Sequence, residues 1–349
     1  MILPYLKDAK RIAVLSRSAL GDLILCLPAL LELKRVLKDV EITLFCDSAN
    51  CELAENLSVF DSVVSIPSRP NRLFHLLRYG RFYSRNNYDA FVCMKVGFGR
   101  QGGLFAWALN AKYSCGFVAD KSTFGVDGKY YLTDRCFSCP VLLTKECYVN
   151  HHYSHVIRQL FFVNEKGVKE YPFGGLALRF PGESKKHSSA NGRCQVVVVV
   201  GGEADHRKPD QIFVTDLLEW LLKRLPSNVD VVLSGLHADL DRYRDSLFKF
   251  NGRVFLGYTE TISDLMLLLQ ESVLIVGGDG GTMHLAALLG KPICMVMSRD
   301  SVRKWKPLAK NLCLFEFSQQ VEEIDIQEMG QSIVSSFERI QSVENGFRM

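Results

Sequence analysis

Buried strands alternate with helices in two successive runs along this chain of 349 residues. The first run opens with Arg11–Ser16, and the second opens with Gln195–Val200, whose sequence QVVVVV is apolar after its glutamine. Strands that are apolar on both faces are typical of parallel sheets with helices on both sides. Because the length also exceeds one ordinary core, the pattern predicts two α/β domains, each a doubly wound parallel sheet.

The remaining elements follow from short apolar windows and from helical periodicity. Further strands are predicted at Glu41–Phe45, Ser62–Ile66, Ala90–Met94, Val229–Leu233, Arg253–Phe255, Val273–Val276 and Ile293–Val296. Helices are predicted at Gly21–Leu37, Leu104–Asn110, Asp210–Arg224, Leu240–Phe250, Ser263–Gln270 and Thr282–Leu289. Between residues 116 and 148 the pattern is too weak to assign elements.

A polar stretch marks the domain boundary. Residues 181–193 are rich in Gly, Ser and Lys and lack apolar periodicity, as expected of an exposed linker. The first domain is therefore predicted at residues 1–180 and the second at 194–320, with a helix in 321–349.

Several classes of protein are excluded or disfavoured. No apolar stretch reaches the ~18 residues that a spanning helix needs, and the start does not resemble a secretory signal, so we expect a cytoplasmic protein. The 11 cysteines are scattered, which favours reduced thiols. Cys136, Cys139 and Cys147 lie near histidines, but no second Cys-x-x-Cys pair completes a zinc site; we expect no metal and no cofactor, although a metal on this cluster stays open.

Basic residues are concentrated in the first domain, although the net charge is only +4. The segment 69–88 contains Arg69, Arg72 and Arg78 and no acid, with aromatic residues in between. It is either a solvated helix face or a surface for an anionic partner such as phosphorylated lipid headgroups. A nucleic-acid partner is not expected, because the overall charge is near neutral and no recognised module is present.

A glycine-rich turn follows the strand at Val273–Val276. Helix N-termini at strand ends bind anions, so the amides of Gly281, Thr282, Met283 and His284 could hold a diphosphate. Asp279 could accept hydrogen bonds from sugar hydroxyls. The alternative, in which this acid only caps the helix and the glycines only turn the chain, is equally compatible with so short a motif.

A second strand end carries the segment Ser16–Asp22. It lacks the GxGxxG pattern of dinucleotide-binding enzymes. Asp22 falls where a helix begins, so it either interacts favourably with the helix dipole or acts as a general base.

These two segments resemble a known family. Leu20-Gly21-Asp22, followed by Leu27-Pro28-Ala29-Leu30, resembles the opening of the bacterial lipopolysaccharide heptosyltransferases of glycosyltransferase family 9. The stretch from Gly277 to Pro292 is similar to that family's donor site.

The resemblance implies a GT-B fold, in which two Rossmann-like domains face a central cleft, and an inverting, metal-independent glycosyltransferase. The first domain would bind the acceptor, the second the nucleotide sugar, and the helix in 321–349 would pack back toward the first domain. Asp22 would be the catalytic base, Asp279 and the residues Gly280 through His284 would bind the donor, and Asp239 would contact the ribose. In this reading Ser18, Arg69, Arg72 and Arg78 would contact the acceptor.

Two positions depart from the family pattern. Gly280 stands where the family usually has Ser or Thr, which removes a hydroxyl from the donor site. The family's diphosphate-binding lysine aligns with His206, beside Arg207 and Lys208, and either of the latter two is the better counter-ion at neutral pH.

The expected reaction is heptose transfer from ADP-heptose to the Kdo- and heptose-bearing core of an anionic lipid A precursor, with peripheral contact at the inner membrane. Two alternatives stay open: another nucleotide sugar or another acceptor within the same family, and a catalytically silent protein that binds nucleotide sugars.

Overall fold

A computed structural model describes residues 6–67, 71–96, 100–119, 135–161, 173, 178, 193–201 and 209–346. The chain forms two compact units. One comprises Met1–Phe180 with Arg303–Trp305, and the other comprises Pro181–Val302 with Lys306–Met349. The predicted domain limits stay a prediction.

The first unit contains a parallel six-stranded sheet of order β3-β2-β1-β4-β5-β6. Its strands are β1 Arg11–Ser16, β2 Glu41–Cys46, β3 Ser62–Ser65, β4 Ala90–Cys93, β5 Tyr113–Ala119 and β6 Cys139–Leu143. The four strands predicted for this domain are confirmed. The last two lie wholly or largely in the region where the sequence pattern was too weak to assign them.

Six helices of this unit are described, four between strands and two after the last strand. They are α1 Leu20–Val36, α2 Ser48–Glu55, α3 Arg72–Tyr83, α4 Arg100–Leu109, α5 Lys145–Asn150 and α6 Tyr153–Arg158. The hydrophobic core on one face of the sheet includes Phe45, Phe91 and Phe105, all fully buried. Burying a side chain of this size contributes roughly 1.5–3 kcal/mol to folding, so these rings fix the helices against the sheet.

The second unit repeats the architecture, with strand order β12-β11-β10-β7-β8-β9, all parallel. Its strands are β7 Cys194–Val199, β8 Val229–Ser234, β9 Val254–Gly257, β10 Leu274–Gly277, β11 Ile293–Ser298 and β12 Leu312–Phe317. The five predicted strands are confirmed, and the half-buried edge strand β12 was missed.

The helices of this unit are α7 Gln211–Leu222, α8 His237–Asp241, α9 Ile262–Glu271, α10 Gly281–Leu288, α11 Arg299–Trp305, whose last three residues count with the first unit, and α12 Ile326–Gly346. The helix predicted at Leu240–Phe250 is wrong over most of its length, where the chain forms the 3-10 segment Arg244–Phe250. The α/β fold with two parallel sheets is confirmed.

The last helix completes the core of the second unit. Met329, Ile333 and Phe337 of α12 are buried in the same cluster as the strands and α7. Gly330 passes so close to Trp220 of α7 that a Cβ atom there would lie 2.4 Å from the indole ring. Packing of this helix toward the first domain stays a prediction. Among the described residues, none of the helices combines the length and the apolar character that crossing a bilayer requires.

Candidate functional site

The first candidate site follows β1, which lies inside the sheet between β2 and β4. Ser16 and Arg17 are buried at the end of this strand, Ser18 is half-buried, and α1 begins at Leu20. Asp22 therefore lies in the first turn of α1, at the carboxyl end of the sheet, where parallel α/β domains bind ligands.

The segment between β2 and α2 holds this loop in place. Arg17 donates to Asp47 from Nε over 2.8 Å and from Nη2 over 2.6 Å. Asn50, which is 3% exposed, donates from Nδ2 to the carbonyl oxygen of Ser18 over 2.7 Å. The position of the loop before Asp22 is thus fixed by polar contacts to a neighbouring helix.

Asp22 is half-buried and acts electrostatically on two buried groups. Burial raises the pKa of the Cys26 thiol well above its usual value; the charge of Asp22 raises it further, and a hydrogen bond with Tyr153 opposes both. Burial also raises the pKa of Tyr153, with Cys26 and then Asp22 adding to the effect. The Tyr153 hydroxyl donates to the Met94 carbonyl oxygen over 2.9 Å. The charge of the Asp22 carboxylate is therefore felt by two buried groups of the first unit, the Cys26 thiol and the Tyr153 phenol.

Sequence reasoning missed Tyr153. The phenol is 4% exposed, and its ring lies 4.8 Å from that of Trp305, centroid to centroid. The charge of Asp22 acts on this phenol because α6 packs on α1 in the fold. A tyrosine some 130 residues away in the sequence gives no local signal for such an interaction.

The second candidate site follows β10. Gly277 ends this strand opposite Val199 of β7, and a Cβ atom on it would lie 2.8 Å from Val199 Cβ and 2.9 Å from Met283 Sδ. This glycine is therefore required by close packing between β7, β10 and α10. Asp279 is half-buried in the turn that follows.

Helix α10 presents its first turn just beyond that acid. Gly281 and Thr282 are half-buried, whereas Met283 and His284 are buried. The Met283 amide already donates to the Gly280 carbonyl oxygen over 3.1 Å. Because the first amides of a helix have no carbonyl one turn earlier, those of Gly281 and Thr282 are the best placed to donate to an anion.

Gly280 itself has room for a side chain. Its backbone is extended, with φ −175° and ψ 167°, and nothing lies within 4 Å of a Cβ atom built on it. The departure from the family pattern at this position is therefore not imposed by the backbone.

Asp239 lies in the first turn of α8 and is 3% exposed. A Cβ atom on Gly201, at the end of β7, would lie 2.8 Å from Asp239 Oδ2. The carboxyl group thus packs against the backbone after β7, within the same unit as α10. Contact with a ribose stays a prediction.

The other predicted site residues are placed as follows. His206, Arg207, Lys208 and Arg69 lie outside the described residues. Arg72 and Arg78 are exposed on α3. With the Gln101 amide oriented so that its oxygen faces Arg72, that oxygen accepts hydrogen bonds from Nη1 over 3.2 Å and from Nε over 3.3 Å.

The sequence left a metal site open at Cys136, Cys139 and Cys147. Within the described ranges, no group of three or more His, Cys, Asp or Glu side chains is arranged to hold a metal ion. Cys147 instead accepts a hydrogen bond from Gln159 Nε2 over 3.2 Å.

Comparison with known proteins supports the resemblance. The sequence model of glycosyltransferase family 9 (heptosyltransferase) matches residues 237–329. A curated relative, lipopolysaccharide heptosyltransferase 1 from Campylobacter coli, is 19% identical over 306 residues, covering 81% of this chain and 82% of the relative.

Solved structures show the same fold. The family 9 glycosyl transferase from Veillonella parvula superposes with a TM-score of 0.77 at 14% identity, over 96% of this chain and 97% of the other. The E. coli heptosyltransferase WaaC with ADP gives a TM-score of 0.74 at 14% identity, over 93% and 99%. The predicted GT-B fold is confirmed.

Proposed function

We infer from its place among the glycosyltransferases of family 9 that this chain transfers heptose from ADP-heptose to the inner core of lipopolysaccharide. The acceptor in this proposal is a lipid A precursor that carries Kdo or heptose. Support comes from the curated relative, which is a lipopolysaccharide heptosyltransferase, and from the structural neighbour solved with ADP. In this proposal residues 1–180 bind the acceptor and residues 194–320 bind the donor.

The observation that carries the proposal is the placement of Asp22. Its carboxylate is half-buried in the first turn of α1, at the carboxyl end of an interior strand and beside the buried Tyr153. As general base it takes the proton of the acceptor hydroxyl while that oxygen attacks the anomeric carbon of heptose. The bond from this carbon to the diphosphate breaks with its electron pair on ADP, and attack from the opposite face inverts the centre.

The second unit supplies groups for the departing diphosphate. The amides of Gly281 and Thr282 and the positive end of α10 stabilise the charge that grows on ADP, which lowers the barrier rather than only binding substrate. Asp279, in the preceding turn, accepts hydrogen bonds from sugar hydroxyls. In this proposal the buried side chains of Met283 and His284 support the turn by packing beneath it, and Asp239 binds the ribose. Lys208 or Arg207, rather than His206, neutralises the diphosphate, and the reaction uses no metal or cofactor.

The acceptor side carries positive charge. Arg72 and Arg78 are exposed on α3, and with Arg69 and Ser18 they are proposed to contact the anionic core of the acceptor. Such an acceptor is anchored in the inner membrane, so the protein is proposed to act in the cytoplasm, at the surface of that membrane.

Replacement of the base tests the proposal. With ADP-heptose and a Kdo-bearing lipid A precursor, Asp22→Asn is expected to lower kcat by about 10²–10⁴-fold. ADP affinity, measured by calorimetry, should stay within twofold of the wild type. The matched control Asp39→Asn removes an exposed carboxylate of the same unit and should leave both quantities unchanged. Full turnover by Asp22→Asn would remove this residue from the mechanism.

A different donor is the second candidate, because Gly280 leaves the donor site without the hydroxyl that the family usually has. Thermal shifts measured with a panel of nucleotide sugars distinguish ADP-heptose from a different donor. The heptose proposal requires ADP-heptose to raise the melting temperature most. Tight binding of any nucleotide sugar without turnover on any acceptor would favour a catalytically silent protein.

A further inference from the structure

Helix α3 carries large apolar side chains on its outer surface. Phe74 is 61% exposed and Phe82 is 65% exposed, although the helix packs on the core of the first unit through Leu76. A single apolar side chain on a surface is ordinary, but two phenyl rings on one helix stay in water at a cost in free energy unless a partner covers them. The outer surface of α3 is therefore a candidate interaction surface.

The spacing of the residues places both rings on one face of the helix, together with three arginines. Positions i, i+4, i+7, i+8 and i+11 share one side of an α-helix. In this segment all five positions are exposed, and their residues are Phe74, Arg78, Arg81, Phe82 and Arg85. The first four lie in α3, and the last lies in the 3-10 turn Ser84–Asn86 that continues it. We call these five residues the α3 face.

The opposite side of α3 is fixed to the rest of the unit. Leu76 is fully buried in the core cluster. Gly80 lies so close to α4 that a Cβ atom on it would be 2.7 Å from Ala108 Cβ. Because these contacts fix the rotation of the helix about its axis, the two phenyl rings cannot turn inward while Leu76 and Gly80 stay packed. Their exposure is thus a property of the fold.

The positive charge of the α3 face is not compensated. No acidic residue occurs from residue 72 to residue 88. Among the described residues, none of Arg78, Arg81 and Arg85 forms an ion pair. Helix α4, which packs against α3, contains no acid either, and its Trp107 is exposed. A partner of this face must therefore offer negative charge together with apolar material that accepts aromatic rings.

An anionic lipid bilayer offers both at one surface. Its headgroups attract exposed arginines, and the acyl region just beneath them accommodates phenyl rings. The long arginine side chains can keep their charges at the level of the headgroups while the rings insert. A protein partner would have to present acids and apolar pockets in register with the α3 face, whereas a fluid bilayer adapts to any spacing.

We propose that the α3 face docks the protein on a bilayer that contains anionic phospholipid. Phe74 and Phe82 insert below the headgroups, and Arg81 and Arg85 bind lipid phosphates. The inference rests on the proposed function in one respect, since it brings the chain to the membrane that carries the proposed acceptor. It adds a direct contact with bulk lipid, distinct from the contact of Arg72 and Arg78 with the acceptor itself.

Flotation of the full chain with lipid vesicles tests the charges of the α3 face. The wild type should bind vesicles of phosphatidylglycerol and phosphatidylethanolamine, and it should bind pure phosphatidylcholine vesicles at least about tenfold more weakly. Arg81→Gln combined with Arg85→Gln should lower the affinity for anionic vesicles about 25-fold, roughly fivefold for each charge. The matched control, Arg242→Gln combined with Lys249→Gln, removes two exposed positive charges from the second unit and should bind within about twofold of the wild type.

The phenyl rings are tested in the same assay. Phe74→Ser and Phe82→Ser should each lower the affinity for anionic vesicles about tenfold, because a ring that is withdrawn from water on binding is lost. The control Phe248→Ser removes an exposed phenylalanine of the second unit and should bind like the wild type. All of the replaced side chains are exposed, so unchanged melting temperatures should separate a loss of binding from a loss of structure.

Two results overturn the proposal. One is the absence of wild-type binding to anionic vesicles, and the other is equal affinity of Phe82→Ser and Phe248→Ser for them. Without vesicle binding, a dimer that forms with rising protein concentration and that Phe82→Ser dissociates would instead assign the α3 face to a second copy of the chain.

Transfer assays keep the docking surface distinguishable from the proposed function. With a deacylated, water-soluble acceptor, Arg81→Gln combined with Arg85→Gln should keep kcat and KM within about twofold of the wild type. With the acceptor embedded in anionic vesicles, the KM of this variant should rise by about the factor lost in vesicle affinity. Vesicle binding that depends on the α3 face, in a protein that transfers no heptose, overturns the proposed function and leaves the docking surface standing. Heptose transfer to the embedded acceptor with unchanged KM in this variant overturns the docking surface and leaves the function standing.

Discussion

Asn50 Nδ2 lies 2.7 Å from the carbonyl oxygen of Ser18, and this hydrogen bond links α2 to the loop that carries Asp22 into α1. The amide is almost fully buried. The loop is therefore held from the side by a neighbouring helix, in addition to its continuity with β1.

Removal of this link should affect catalysis as well as stability. Asn50→Ala leaves the carbonyl oxygen of the half-buried Ser18 without its donor, so we expect a loss of about 0.5–1.5 kcal/mol in the free energy of unfolding, measured in urea. We also expect kcat to fall, because Asp22, the proposed base, moves with the loop. The control Asn56→Ala loses a 2.9 Å hydrogen bond to Glu52 within α2 and should lower stability alone. Equal kcat values in both variants would show that the loop does not depend on Asn50.

Tyr153→Phe should destabilise the first unit. The variant keeps the ring but removes the hydroxyl that donates to the buried Met94 carbonyl oxygen, so we expect a loss of about 1–3 kcal/mol in urea unfolding. Nucleotide affinity should be unchanged, because the phenol lies in the other unit from α10. A variant as stable as the wild type would indicate that water replaces the hydroxyl.

Gly277, at the end of β10, and Gly280, just before α10, should respond oppositely to substitution. At Gly280 the extended backbone and open space accept a side chain, and Gly280→Ser should add a cap to α10 worth a few tenths of a kcal/mol. At Gly277 a methyl group meets Val199 and Met283, so Gly277→Ala should cost about 1–3 kcal/mol. Thermal unfolding measures both. Comparable melting temperatures for the two variants would contradict the described turn.

The reactivity of the Cys313 thiol should report its pairing with Cys294 across the neighbouring strands β12 and β11. Cys313 stands opposite the buried Cys294 in the register of the two strands. A hydrogen bond from Cys294 lowers the pKa of Cys313 to about 7, and a hydrogen bond from Ser332 and the charge of Arg339 act in the same direction. Alkylation of Cys313 by iodoacetamide should therefore reach half its maximal rate near pH 7, and Cys294→Ala should move that midpoint upward.

The lowered pKa of Cys313 also determines the direction in which the free energy of unfolding changes with pH. Between pH 7 and the thiol's ordinary pKa near 9, the unfolded state binds more protons, so this group adds stability as the pH rises and loses it as the pH falls through 7. A pH midpoint near 9 for the alkylation of Cys313 in the wild-type protein would show that Cys294 does not donate a hydrogen bond to it.

The sequence predicted those parts of the fold that are encoded locally. Valine-rich β7 and the strand-to-glycine transition at Gly277 are buried on both faces, so composition alone marks them. The sequence did not predict β6, in which half-buried and exposed residues alternate over the first four of five positions, or β12, which is a largely half-buried edge strand. In these strands tertiary position, not local pattern, decides the structure.

The candidate sites divide in the same way. Asp22 and Asp279 were found because each directly follows a buried strand. Tyr153 comes from a distant segment that only the fold brings near α1, and its residue type is unremarkable in isolation. Arg17 is adjacent to the motif, but its burial depends on Asp47 across the sheet, which sequence spacing does not show.

The contribution of α12 to the second core has a consequence for synthesis. Met329, Ile333, Val334 and Phe337 complete a hydrophobic cluster whose first strand begins at Cys194. Until the ribosome has synthesised α12, the apolar surface of the second unit that packs against this helix is exposed to water and to chaperones. The second unit is thus expected to reach its stable state only after residues 326–346 have left the exit tunnel.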